Sequence, residues 1–457
     1  MHNVEYTLSV WPLSTPEMLQ AASVQERSLG SRDHLLFHRI KVIRNGNILD
    51  KASNVIVRLL DDENSSLSGT LLKAQKAHFV ISDLHLGDVL ISEHSKVTTF
   101  EESNVIDKRY YRYIQALATG IWLNATYEFK VINDRAEDIC IKKKYFRDVT
   151  GTVVDDDATI VRNGETFAFV QPKWLSEPSP NYFNPFFEIA TVATWEDVGL
   201  FIHSLYKGPL YNGGALRISD GLAKRLASAL NVDEKIRIII EYVQDHIIYL
   251  FDADVMHAHI PQSAQQVLET SSGDCKAKSL LLVKLLDLIG VAAKIILINY
   301  DGDRYIEEML PSPFAFSHAI VKLDWNGKHY FIDPTWSNRS GSLDHRGEPV
   351  FSTYLQIDGK TGLDHRDEVP PSYFGQEESA NIELRGTTVN IDLQVIFRGM
   401  WADIERQTIR ASSTEQMIQF YNARIKERLQ DKNEDKDLFA SASYAVIGDD
   451  KEKQSDN

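Results

Sequence analysis

The chain has 457 residues, 43% hydrophobic and 25% charged, and a formal net charge of −16. That balance describes a globular protein with room for a substantial core and two or three domains. The carboxylate excess excludes nucleic acid as a partner, since phosphates demand basic grooves, and disfavours an anionic membrane surface.

No run approaches the ~18 apolar residues of a membrane span, and Met1-His2-Asn3-Val4-Glu5 lacks the charged start and apolar stretch of a secretory leader. The chain as written therefore reads as cytoplasmic, or periplasmic if a leader was removed. Its two cysteines, Cys140 and Cys275, lie in unlike contexts and imply no disulfide framework.

The first two hundred residues read as mainly β. His38–Ile43 alternates and runs into the hairpin turn Asn45-Gly46. Ala77–Ile81 and Val89–Ile91 bracket the turn-like Leu86-Gly87-Asp88. Trp122–Val131 alternates as a strand, and Ile139-Cys140-Ile141 reads as one whose burial would keep Cys140 a neutral thiol. Thr159–Arg162 and Thr166–Val170 are expected to form a hairpin over Asn163-Gly164. Short strands with regular turns predict a sandwich, and the proline-spaced Trp174–Pro185 reads as a linker or covering loop.

Helices begin at Thr194, an N-cap with Asp197 three positions later, and again near Asn231 with Glu234 at the same offset. Ile236, Ile240, Val243 and Ile247 keep helical spacing in the second. Ser272-Gly273-Asp274-Cys275 then opens a run apolar enough to be buried on most sides, ending at Gly290, where a left-handed cap is expected. Cys275 thus sits in the first turn of a core helix behind a tight glycine turn. Unpaired N–H groups there, with Lys276 and Lys278 nearby, favour a thiolate. A small buried hydrophobe is the competing reading of such a cysteine.

Ala293–Ile298 reads as a buried strand. Phe316–Leu323 and Lys328–Asp333 read as two more, joined by Asn326-Gly327. A two-residue turn there pairs Trp325 with Lys328, which makes His318 and Asp333 diagonal neighbours on one face, roughly 7–8 Å apart along the backbone. A carboxylate at that offset holds one imidazole nitrogen and leaves the other free to act on a thiol. Further on, Asn381–Arg398 holds one or two strands and Met400–Ala411 a helix. Thr414–Gln430 is amphipathic through Met417, Ile418, Tyr421, Ile425 and Leu429, a stripe best read as core packing. Residues 431–457 read as a disordered tail.

Other chemistries find little footing. His257-Ala258-His259 offers two metal nitrogens without a third ligand at zinc spacing. The sequence has no phosphate-cradling glycine loop and no Gly-x-Ser-x-Gly. No metal and no cofactor is expected.

Gly-Asp-Cys-Lys (273–276), Phe-Ser-His-Ala-Ile-Val (316–321) and Ile-Asp-Pro-Thr (332–335) resemble the papain-like transglutaminase superfamily in order and spacing. Tyr242–Tyr249, His259-Ile260-Pro261 and Leu310–Phe314 resemble further segments of its bacterial branch. Asp83–Leu90 and Thr194–Val198 resemble the DUF3857-type β domain that precedes that core. The likeness covers roughly residues 35–425. It departs at Ala277, where the branch often has an acid, and at Ser317, where it usually has Asn or Asp.

The resemblance implies an α+β chain: a β-sandwich-like domain over 1–193, a papain-like core over 194–375 whose cysteine helix packs on an antiparallel sheet, a strand and helix region over 376–430, and the tail. It implies acyl transfer through a thioester, with Cys275 as nucleophile, His318 as acid and base, and Asp333 as orienting group. The backbone N–H of Cys275 and the side chain of Gln262, just before the short helix Ser263–Leu268, would face the oxyanion. The expected partner is a peptide or protein substrate. Water as acceptor makes a peptidase or amidase, and a lysine amine makes a cross-linking enzyme. No stretch matches the calcium loops of animal transglutaminases, which tilts the reading slightly toward hydrolysis. The alternative from another class is a catalytically silent module that clamps peptides in the same groove.

Overall fold

The computed structural model describes residues 2–30, 32–61, 70–71, 75–99, 109–116, 127–146, 158–171, 185–211, 216–252, 259–339, 341–344, 346–359, 362–366, 375–386, 388–398 and 400–429. The expected linker at Trp174–Pro185 (apart from Pro185), the start of the Trp122–Val131 strand, His257-Ala258 and the tail from Asp431 lie outside them. Among the described residues no helix is long and apolar enough to cross a membrane. The architecture is α+β: antiparallel sheets first, then a helix-on-sheet core, then a hairpin and two helices.

The N-terminal part builds two small sandwiches in succession. In the first, a four-stranded sheet (His2–Pro12, Val89–Thr99, Asp33–Arg44, Asn47–Asp50) faces a three-stranded one (Val24–Leu29, Gln75–Ile81, Val55–Asp61). Leu13, Ile40, Val42, Ile81 and Leu90 fill the space between them. Asn45 and Gly46 take φ of 50° and 78°, as the expected turn requires. In the second, the sheet carrying Ile139–Lys144 and Phe186–Thr191 stacks on the pair Tyr127–Ile132 and Thr166–Gln171. Phe187 lies 4.4 Å from Phe129, ring to ring.

The second sandwich corrects one expectation. Thr159–Val161 and Thr166–Gln171 do not pair with each other; they pair with Ile139–Ile141 and Tyr127–Ile132, in opposite sheets. The cause is Asn133, buried at 2% exposure. Its backbone bonds Gly164 and Glu165, and its amide donates to the carbonyls of Val161 and Glu137. The Asn-Gly turn folds around that side chain and sends its two arms apart.

The core begins with helices Trp195–Tyr211, Asp220–Ser228 and Val232–His246. Thr194 and Asp197 cap the first reciprocally, and Asn231 accepts from the Glu234 N–H to cap the third. The second helix has only Leu222 buried, which is why hydrophobic spacing did not announce it. Helix Cys275–Asp287 lies at the centre, with ten of its residues buried, and Gly290 closes it at φ 74°. It packs on a five-stranded antiparallel sheet ordered Lys328–Ile332, His318–Trp325, Ala293–Ile298, Thr353–Gln356, Leu363–His365. Leu280, Leu281, Leu285, Val321 and Leu323 join one core cluster with the helices.

The β region grips the loop that leads to His318. Arg112 donates to the Phe314 carbonyl and Met309 sulfur, Lys142 to the Glu308 carbonyl, and Lys144 pairs with the Glu308 carboxylate at 3.0 Å. C-terminally, Gln376–Arg385 and Thr388–Phe397 form an exposed hairpin, followed by helices Met400–Ala411 and Thr414–Leu429. Met417 is buried, as the stripe predicted, while the side chains of Ile425 and Leu429 are outside the described set.

Candidate active site

Three short elements deliver Cys275. Helix Ala264–Thr270 starts on a capping box between Ser263 and Gln266 and stops at Ser271, whose φ is 51°. Ser272-Gly273 then bonds in parallel with Ile248-Tyr249 instead of making the tight turn expected from its glycine. Gly273 is there for close approach: a Cβ would stand 3.0 Å from the Ala277 Cβ and 3.3 Å from Val267. Asp274 caps the helix by accepting from the Ala277 N–H at 2.9 Å. Cys275 follows in the first turn, 9% exposed.

The two lysines are committed elsewhere. Lys276 forms a buried ion pair with Asp274, and its Nζ lies 5.3 Å over the Phe251 ring. Lys278 donates to the Ile247 carbonyl at 2.6 Å, and burial pulls its pKa down to about 8. The positive charge beside the sulfur comes from His318 instead.

The hairpin forms in the expected register, with Trp325 opposite Lys328 and Val321 opposite Ile332. Asp333 follows the last paired residue, and its Oδ2 accepts from His318 Nε2 at 2.9 Å. That leaves Nδ1 for Cys275, whose hydrogen bond and charge both act on the ring. Burial disfavours the imidazolium, but the bonds and charges of Asp333 and Cys275 outweigh it and push the His318 pKa up to about 10. Burial likewise opposes the Asp333 charge, yet His318 and Thr335 hold its pKa below the usual carboxylate range.

Asp333 is 1% exposed and fully bonded. Besides His318, Oδ2 accepts from the Tyr300 hydroxyl at 2.9 Å, and Oδ1 accepts from the Thr335 N–H at 2.9 Å and hydroxyl at 2.7 Å. Gln244 donates to the Asp333 carbonyl and accepts from buried Arg346, both at 2.8 Å. Tyr300 also lies against the imidazole, 5.3 Å between centroids. Sequence reasoning missed Tyr300, Thr335, Gln244 and Arg346. A usable signal existed for Gln244, a polar residue among Ile236, Ile240 and Val243 on the buried side of its helix.

Gln262 lies against the segment before the cysteine: a Cβ on Gly273 would come 3.5 Å from its Oε1. That oxygen is buried without a hydrogen-bond partner among the described residues. His259 packs near the Phe314 ring, 6.0 Å between centroids, and burial pulls its pKa down to about 4. Among the described residues no cluster of three or more His, Cys, Asp or Glu is arranged to hold a metal ion.

Residues 220–331 match the family model of the transglutaminase-like superfamily, a stretch that includes Cys275 and His318 and ends two residues before Asp333. No curated protein matches the chain. Among solved structures, one named "putative protease" from Parabacteroides distasonis is similar at 14% identity and a TM-score of 0.49, over 80% of this chain and 69% of that one. A structure named as a TGase is similar at 14% identity and a TM-score of 0.19, over 35% of this chain and 42% of that one.

Proposed function

We propose that the transglutaminase-like domain of residues 220–331, completed by Asp333, is a cysteine acyl-transfer enzyme acting on peptide or protein amides. The observation that carries the reading is His318: its Nε2 is held at 2.9 Å by a buried carboxylate while its ring also engages Cys275 at a helix start. The core of this enzyme spans 194–375. The β region over 1–193 is its DUF3857-type companion, and 376–430 forms the C-terminal strand and helix region.

His318 Nδ1 takes the proton of Cys275, giving a thiolate and imidazolium pair. The thiolate attacks the amide carbonyl, and the oxyanion is met by the Cys275 N–H and the Gln262 side-chain amide. His318 then gives its proton to the departing amine, leaving a thioester on Cys275 and a neutral imidazole. Water attacks that thioester as His318 takes its proton, releasing the acid and restoring the pair. Asp333 holds the proton-bearing Nε2 throughout. Hydrolysis is the leading branch; an amine in place of water gives cross-linking with the same residues.

Two experiments test the reading. An electrophilic amide probe should be captured at Cys275 in the wild type and not in His318→Ala; absence of capture in the wild type would favour a silent peptide clamp. A peptide-library digest with an added amine, read by mass spectrometry, separates cleavage, deamidation and cross-linking.

A further inference from the structure

Helix Met400–Ala411 lies outside the stretch that matches the family model, yet it is bonded to the loop that leaves Asp333. Gln407 Nε2 donates to the carbonyl and the hydroxyl of Ser337, both at 3.2 Å. Asp403, 1% exposed, pairs with Arg339 at 3.5 Å and with Arg406 of its own helix at 2.8 Å. The same loop begins at Thr335, whose N–H and hydroxyl hold Asp333 Oδ1. One short segment thus touches the orienting carboxylate at one end and presents a buried arginine to this helix at the other.

That arginine stands between two acids. Arg339 is paired with Asp403, feels the charge of Asp333 as well, and lies 4.3 Å over the Trp336 ring. Three guanidiniums act on Asp403, those of Arg339, Arg406 and Arg346, and they oppose the rise in its pKa that burial causes. Arg346 also feels Glu241, Asp245 and Arg237, and it donates to Gln244, which in turn donates to the Asp333 carbonyl. The ionisable groups that act on His318 are Asp333 and Cys275. A buried cation beside Asp333 lacking its own carboxylate would compete with the imidazolium for the same negative charge.

We propose that Asp403 is a positioning residue for the Cys275, His318 and Asp333 site: it engages the charge of Arg339, so that His318 is the cation Asp333 stabilises. The inference rests on the acyl-transfer reading in one respect, that Asp333 is the partner of His318. Were the Asp403–Arg339 pair plain structural cement, removing either member would loosen the loop and act on His318 in the same direction. As an electrostatic device the two act with opposite sign. Loss of the carboxylate frees a positive charge and disfavours the imidazolium; loss of the guanidinium frees a negative charge and favours it.

The test is titration of the His318 imidazole by NMR in the full chain carrying isotope-labelled histidine, its signal identified by its loss in His318→Gln. In the wild type it titrates near pH 10. Asp403→Asn should lower that value by about one unit, Arg339→Gln should raise it, and Asp403→Glu should keep it within about 0.3 unit. Combining Asp403→Asn with Arg339→Gln should recover most of the loss. A titration unmoved in Asp403→Asn, a fall in both single variants, or no recovery in the double variant overturns the proposal. If Asp403→Asn does not fold, Arg339→Gln decides by sign: a rise supports the role, and a fall or no change ends it. No turnover is read. A protein that shows these shifts but is never captured at Cys275 by the amide probe would lose the acyl-transfer reading and keep this one.

Discussion

Asp333→Asn is the sharpest test of the proposed triad, because the structure dictates how the new amide must sit. The carboxylate accepts four bonds, from His318 and Tyr300 on one oxygen and from the Thr335 N–H and hydroxyl on the other. The Thr335 backbone N–H cannot reverse its polarity. If the Asn oxygen turns toward His318, two donors face each other at Thr335, at about 1–3 kcal/mol for the lost acceptor. That holds the productive orientation to roughly a sixth to a hundredth of molecules. In the favoured orientation the Asn nitrogen faces His318, so Nε2 must accept and the proton moves to Nδ1, toward Cys275. His318 then cannot take the thiol proton in those molecules, and the rest keep the tautomer but lack the carboxylate charge. Turnover should therefore fall by at least about six- to a hundredfold, and by up to about 10⁴ if the lost charge adds its full effect. The assay is iodoacetamide alkylation of Cys275 against pH. At about pH 6 the variant should react on the order of a hundredfold more slowly and follow an ordinary thiol with pKa near 8.5. A folded variant labelled at pH 6 within about threefold of wild type would refute the orienting role.

Four further outcomes are expected. Limiting iodoacetamide at about pH 6 should label Cys275 and spare Cys140, whose pKa burial raises, and His318→Ala should remove the selectivity; peptide mapping reads the sites. Gln262→Ala should lower amide turnover by about 10²–10³ yet leave alkylation of Cys275 unchanged, since alkylation creates no oxyanion. Gly273→Ala should destabilise the fold by about 1–3 kcal/mol in urea titrations, because its Cβ would meet Ala277 at 3.0 Å. The His318 pKa is raised on folding to about 10, so its contribution to stability is whole below about pH 6.5 and disappears as pH rises through about 10. Urea titrations of wild type and His318→Gln should accordingly converge toward alkaline pH.

What could be read from the chain was what local chemistry decides. Asn326 and Gly327 take φ of 50° and 77° because their turn demands positive values, and that alone set the register leading to Asp333. Gly273 followed by an apolar run that ends at Gly290 was enough to place Cys275 at a helix start, while the cap on Asp274 went unread. The same Asn-Gly signal misled at Asn163-Gly164, because buried Asn133, some thirty residues earlier, decides where each arm goes. Tyr300 was invisible for the same reason, meeting Asp333 across 33 residues of chain, and Gln244, 89 residues away, showed only as a polar residue on the buried side of its helix. Gly273 was noticed, but as a turn former, since sequence does not reveal that Ala277 and Val267 stand behind it.

The grip of the β region on the loop before His318 bears on how this chain can be dissected. Arg112 reaches Phe314 across 202 positions, and Lys144 holds Glu308 across 164. The imidazole's approach to the cysteine is thus fastened from outside the stretch that carries both residues. A shortened gene product beginning near residue 194 would keep Cys275, His318 and Asp333, the proposed triad, and lose the bonds that Arg112, Lys142 and Lys144 make to the segment before His318.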